Sequence, residues 1–166
     1  MGKSFSGCEI IEIAIQIEKN GIDFYNGLIE MSKHDKAKEV FKYLAQQEEE
    51  HIRIFKGIFD PKCSYEPQGA YPDEYFAYMN ALASGYIFTK ENKGKEIASG
   101  VKNDKEAIDL GIKFEKESIL FYEGMRKIVP DKDQQLLERV INEEKEHLKK
   151  LCELKGDVPV GDTPCA

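Results

Sequence analysis

The sequence predicts an all-α fold: an antiparallel bundle of four long helices, with a long, partly helical crossover between the second and the third. Four segments carry the three-and-four spacing of apolar residues that marks a helix with one buried face. They fall into two pairs separated by a stretch rich in proline, glycine and aromatic residues, and the second pair repeats motifs of the first.

The first segment, roughly residues 9–32, sets Ile11, Ala14, Glu18, Ile22, Tyr25 and Leu28 or Ile29 on one stripe, with Ser6 placed to cap its start. The second, roughly 36–59, aligns Phe41, Leu44, Ala45, Glu48, His51, Ile52 and Phe55. The break between them, around His34 and Asp35, is short enough to make the two antiparallel neighbours. Pro61, Pro67, Gly69 and Pro72 then interrupt the period, and the aromatic run Tyr75, Phe76, Tyr78, Met79, Leu82, Tyr86 reads as a shorter helix packed on the bundle. Thr89 to Gly100 is polar and glycine-spotted, which suits a loop or frayed helix. Asn103 or Asp104 caps a third segment carrying Ile108, Gly111, Ile112, Glu115, Ile119, Tyr122 and Met125, and Pro130 closes it by disfavouring helix at Val129. Asp131 is placed to cap the fourth, which aligns Leu137, Val140, Ile141, Glu144, His147, Leu148 and Leu151 before Gly156, Pro159, Gly161 and Pro164. The expected organisation is one helical domain over residues 1–156, its crossover at about 60–102, and a non-helical tail at 157–166.

Charged residues make up 33% of the 166 and hydrophobic ones 41%, a balance that supplies a core and excludes a disordered chain. A net charge of −7 argues against nucleic-acid binding, which rests on clustered Lys and Arg. No apolar run approaches a membrane span and residues 1–7 lack the order of a secretion signal, so no membrane association and a cytoplasmic location are expected. Cys8, Cys63, Cys152 and Cys165 form no CxxC pair, which leaves neither a zinc knuckle nor an iron–thiolate site and favours free thiols.

The repeat carries the chemistry. Glu18-Lys19 and Phe24-Tyr25 recur as Glu115-Lys116 and Phe121-Tyr122, Gly27 is matched by Gly124, and Glu48-Glu49-Glu50-His51 by Glu144-Lys145-Glu146-His147. Glu18, Glu48, Glu115 and Glu144 all lie within apolar stripes. Four buried, unpaired carboxylates would cost far more than the roughly 5–15 kcal/mol by which a domain is stable. Lys and Arg are largely absent from the stripes, so two divalent ions are the economical counter-charge. Two of the three histidines follow a stripe glutamate by three residues, one in each half, and in a helix such a pair shares a face. One Glu-x-x-His is a weak signal; two, each answered by a Glu on the paired helix, is a specific one.

This order of Glu, Glu-x-x-His, Glu, Glu-x-x-His resembles the ligand pattern of the ferritin-like di-iron carboxylate proteins. Phe24-Tyr25 and the run Leu44-Ala45-Gln46-Gln47-Glu48-Glu49-Glu50-His51 are most similar to the rubrerythrin branch. The resemblance implies a di-iron centre, with Glu18 and Glu115 as terminal ligands, Glu48 and Glu144 as bridges and His51 and His147 giving one nitrogen to each metal; manganese or a mixed pair is the alternative. It also implies that Glu143 orients a histidine of the opposite helix, a role for which Gln47 is less suited. Tyr25 and Tyr122, seven residues after Glu18 and Glu115, either hydrogen-bond a carboxylate ligand or donate an electron, or are simply core aromatics. Rubrerythrins proper carry a further Glu one turn after the third-helix ligand, where this chain has Ser118, and a rubredoxin-like domain that its cysteines cannot build.

The expected function is a non-haem di-iron oxidoreductase acting in oxidative stress, a peroxidase that reduces hydrogen peroxide or oxygen. Its electrons would come from an external donor such as a rubredoxin, and a homodimer or higher homo-oligomer is the expected assembly. A ferroxidase or iron-handling protein is the second reading. A metal-free helical binding module, its glutamates solvated, is the third.

Overall fold

The computed structural model describes residues 6–60 and 72–159. Pro61, Pro67, Gly69, Cys63, Cys165 and most of the expected tail lie outside them. Four long helices, α1 (Gly7–Met31), α2 (Asp35–Ile58), α5 (Asp104–Met125) and α6 (Gln134–Asp157), form the bundle, and α3 (Pro72–Gly85) and α4 (Lys93–Gly100) belong to the crossover. Helix α1 packs on α2 and α5, and α6 packs on α5 and α2.

Side-chain contacts between the helices fix the register. Tyr25 meets Glu115 while Tyr122 meets Glu18, so α1 and α5 run antiparallel. His51 meets Glu144 while His147 meets Glu48, so α2 and α6 do the same. The two hairpins are thus related by an approximate two-fold axis through the bundle.

Ser6 caps α1 reciprocally: its hydroxyl accepts from Glu9 N (3.3 Å) and the Glu9 carboxylate accepts from Ser6 N (2.7 Å). Asn103 caps α5 by accepting from Glu106 N at 2.9 Å. Asp131 does not cap the last helix. It opens a short 3-10 turn, Asp131–Asp133, and α6 starts at Gln134, whose side-chain amide donates to the carbonyls of Arg126 and Val129, both at 2.7 Å. Helix α5 itself ends at Met125, ahead of the position where Pro130 would stop it, and the chain leaves through turns that return Ile128 N and Val129 N to the Met125 carbonyl.

The aromatic segment is the expected helix, α3, with Tyr75 and Met79 buried against the bundle and Tyr75 donating to Gly124 O at 2.9 Å. Of the stretch expected to be a loop or frayed helix, residues 93–100 form a helix. It is short and buries only Gly94 and Ala98, two residues with almost no side chain. Buried Asn20 of α1 holds it: Nδ2 donates to Phe88 O (2.7 Å) and Lys90 O (2.6 Å), and Oδ1 accepts from Gly94 N (2.9 Å). A Cβ at Gly94 would lie 1.9 Å from Asn20 O, so the close approach requires glycine. Phe88, following α3, closes the core against Phe24 and Phe114, with ring centroids 5.7 and 4.1 Å away. Its burial alone contributes about 1.5–3 kcal/mol.

Candidate metal centre

Six side chains from all four long helices meet at mid-bundle: Glu18, Glu48, His51, Glu115, Glu144 and His147, none more than 4% exposed. They form two tetrads. Glu18, Glu48, His51 and Glu144 bring one ligand atom each within 4.8 Å of one another, and so do Glu48, Glu115, Glu144 and His147. Glu48 and Glu144 belong to both, which is the arrangement that two bridging carboxylates require. His51 Nδ1 lies 3.0 Å from Glu48, 3.0 Å from Glu144 and 3.5 Å from Glu18. His147 Nδ1 lies 3.2 Å from Glu144 and 3.8 Å from Glu48 and from Glu115. The two imidazoles stack, 5.4 Å apart and 21° from parallel.

Burial removes the reading in which these glutamates are solvated. Their proximity is electrostatically costly. Burial, and then the charges of Glu144, Glu18 and Glu115, push the Glu48 carboxyl well up. Burial and then Glu144 push Glu115 up to about 8. Burial alone would depress both histidines, but the carboxylates outweigh it: Glu18 and Glu144 raise His51, and hydrogen bonds with Glu115 and Glu144 raise His147 to about 12. Glu144 is the ionised member, held well below the usual range despite its burial by His51, Glu115 and His147. Unless a cation is supplied, a cluster of carboxylates this deeply buried has to retain protons.

Protons leave the cluster incompletely satisfied. Glu48 Oε2 and His51 Nδ1, 3.0 Å apart, are both buried without a hydrogen-bond partner among the described residues. No Lys or Arg among the described residues pairs with any of the four glutamates; their ion-pair partners are the two histidines. Carboxylate oxygens and imidazole nitrogens converging without a Lys or Arg among the described residues fit a pair of divalent first-row cations.

Surrounding groups tie the cluster together. Tyr25 donates its hydroxyl to Glu115 Oε1, and Tyr122 donates to Glu18 Oε1 at 2.5 Å, each crossing to the other half of the repeat. Both tyrosines are buried, so they are core aromatics and carboxylate partners at once. Glu143 reaches across to His51 Nε2 at 3.0 Å and accepts from Arg139 Nε at 2.9 Å; the hydrogen bond with His51 holds its carboxyl at about 2. Ser118 is buried with its hydroxyl 2.9 Å from that of Tyr86, which also donates to Phe114 O at 3.1 Å. Ser118 is occupied in linking the crossover to α5. Asn20, two residues beyond Glu18, escaped sequence reasoning. Its only signal was an Asn-Gly pair of poor helix formers inside a long helix.

Comparison with known proteins agrees with this geometry. No curated protein sequence matches significantly. Among solved structures, the chain is similar to a Thermotoga maritima protein described as ferritin-like and diiron-carboxylate, at 27% identity and a TM-score of 0.65, over 95% of this chain and 99% of that one. The rubrerythrin family model matches residues 9–155, a span that holds both hairpins, the crossover and all six clustered side chains, and the chain thus belongs to the rubrerythrin family.

Proposed function

We propose that the chain is a non-haem di-iron oxidoreductase that reduces hydrogen peroxide, or oxygen, with electrons from an external donor. One observation carries this reading: two buried tetrads sharing Glu48 and Glu144, whose four glutamates have no Lys or Arg partner among the described residues and only the two histidines beside them. Glu18 and His51 would serve one ion, Glu115 and His147 the other, with Glu48 and Glu144 between them. A pair of ferrous ions, if bound there, would supply the two electrons that reduce peroxide, with two protons from solvent, to two water molecules.

The remaining work falls to side chains. Tyr25 and Tyr122 fix the orientation of Glu115 and Glu18, and burial keeps both phenols protonated, so each holds a proton at Oη beside the cluster. Glu143 fixes the tautomer of His51 by accepting at Nε2, which leaves Nδ1 as the nitrogen aimed at the carboxylates. Packing of Phe41, Phe55 and the tyrosine rings around the cluster excludes bulk water. Membership of the rubrerythrin family and the likeness to a protein described as diiron-carboxylate support the same chemistry.

The test is metal analysis of iron-reconstituted protein, then stopped-flow mixing of the reduced form with peroxide and with oxygen. Two irons per chain and faster reoxidation by peroxide are expected. Fewer than two irons would remove the di-iron reading, and preferential use of oxygen with release of ferric iron would make the protein a ferroxidase instead.

A further inference from the structure

The approximate two-fold axis relates each residue of one half to one of the other, and the pairs that differ are informative. Glu143, immediately before Glu144 on α6, crosses to His51 on α2. Its counterpart, immediately before Glu48 on α2, is Gln47, and no hydrogen bond links it to His147. His147 Nε2 is buried with no hydrogen-bond partner among the described residues. Behind that ring stands Tyr43, edge-on at 6.1 Å, with the Lys150 ammonium 4.9 Å above the tyrosine ring. One imidazole is therefore backed by a carboxylate anchored to Arg139, the other by an aromatic ring carrying a cation.

An imidazole that donates its outer N–H to a carboxylate is a more basic and better oriented ligand, and loss of such a partner commonly costs about 10–100-fold in metal affinity. A neutral amide swung into place from Gln47 would be a weaker substitute, because a charged acceptor makes roughly twice as strong a bond. We propose that the two halves of the site are unequal: the position served by Glu18 and His51 binds a divalent ion about 10–100-fold more tightly than the position served by Glu115 and His147, and fills first. Glu143 is the positioning residue that makes the difference. The inference rests on the di-metal reading above, and it adds an order of loading that the repeated motifs alone do not contain.

Titration of the metal-free protein with Co²⁺, followed by absorbance and by NMR of ¹⁵N-labelled histidine, tests it. With three histidines in the chain the spectrum is simple. The first equivalent is expected to shift His51 alone and the second His147, with dissociation constants about 10–100-fold apart. Glu143→Gln should weaken the tight step about 10-fold or more and leave the weak one nearly unchanged. Gln47→Glu should tighten the weak step alone, a gain that no loss of folding can imitate. Anticooperativity between two equal sites would also split the binding curve, but both histidines would then shift together at the first equivalent. That result, equal affinities, or an equal effect of Glu143→Gln on both steps would overturn the inequality while leaving two bound ions. Binding of fewer than two Co²⁺ would overturn the di-metal reading with it.

Discussion

At the scale of single residues, position relative to the two tetrads sets what each carboxylate can do. Glu48 and Glu144 lie in both, whereas Glu18 and Glu115 lie in one each. Glu48→Ala is expected to lower occupancy at both positions, while Glu18→Ala empties mainly the one shared with His51. Elemental analysis with Mössbauer spectra, after a check of helicity, separates the two, and equal single-site loss would make Glu48 a terminal ligand. The tyrosines act through the carboxylates. Tyr122→Phe keeps a ring that packs on Phe55 at 5.0 Å but removes the donor to Glu18. A drop of about 10-fold in metal affinity at the Glu18 position, with the fold intact, is the expected outcome by calorimetry. Unchanged affinity would reduce Tyr122 to a packing residue.

At the scale of elements, the repeat explains more than the metal ligands. Gly27 and Gly124 occupy matched places nine residues beyond Glu18 and Glu115, and each admits a different piece of the crossover. A Cβ on Gly27 would sit 2.5 Å from Ala98 of α4, and one on Gly124 would sit 2.5 Å from Met79 Sδ of α3. The long helices and all six clustered residues were legible in the sequence because each buries a wide apolar stripe in which a carboxylate stands out. Helix α4 was legible only as a loop or frayed helix, since its buried face is only Gly94 and Ala98 and it is held by Asn20, more than seventy residues earlier. The start of α6 departs from the sequence expectation for a related reason: Asp131 is a residue type that caps helices, but Gln134 instead turns back to satisfy carbonyls at the end of α5. Asn20→Ala would leave two carbonyls and one N–H unpaired in the interior. A loss of about 3 kcal/mol is expected, roughly 6–12 °C in the melting temperature of the metal-free protein. Asn20→Asp should also destabilise, because a carboxylate can still accept from Gly94 N but repels the Phe88 and Lys90 carbonyls.

At the scale of the whole molecule, neither hairpin owns a complete tetrad. The first draws Glu18, Glu48 and His51 from one hairpin and Glu144 from the other; the second draws Glu48 from one and Glu115, Glu144 and His147 from the other. The cluster therefore joins the halves, and a metal pair bound to it would stabilise the bundle. A ligand at about 100 times its dissociation constant adds about 2.7 kcal/mol, roughly 5–10 °C for a chain of this size. Proton linkage makes the gap between loaded and metal-free protein depend on pH. In the metal-free state the raised Glu115, at about 8, stabilises fully below its unfolded value near 4.5, and that contribution is lost as pH rises through 8. His147, raised to about 12 from 6.5, contributes with the same sign and begins to lose its contribution above 6.5. Glu144, lowered by its neighbours, acts oppositely, but only below about 4.5. Between pH 6 and 8 the metal-free bundle should thus lose stability, while metal binding, which must displace those protons, becomes tighter. Thermal melts of chelated and reconstituted protein across this range are expected to diverge as pH rises, and melts that converge would mean that the metal does not replace the protons of this cluster.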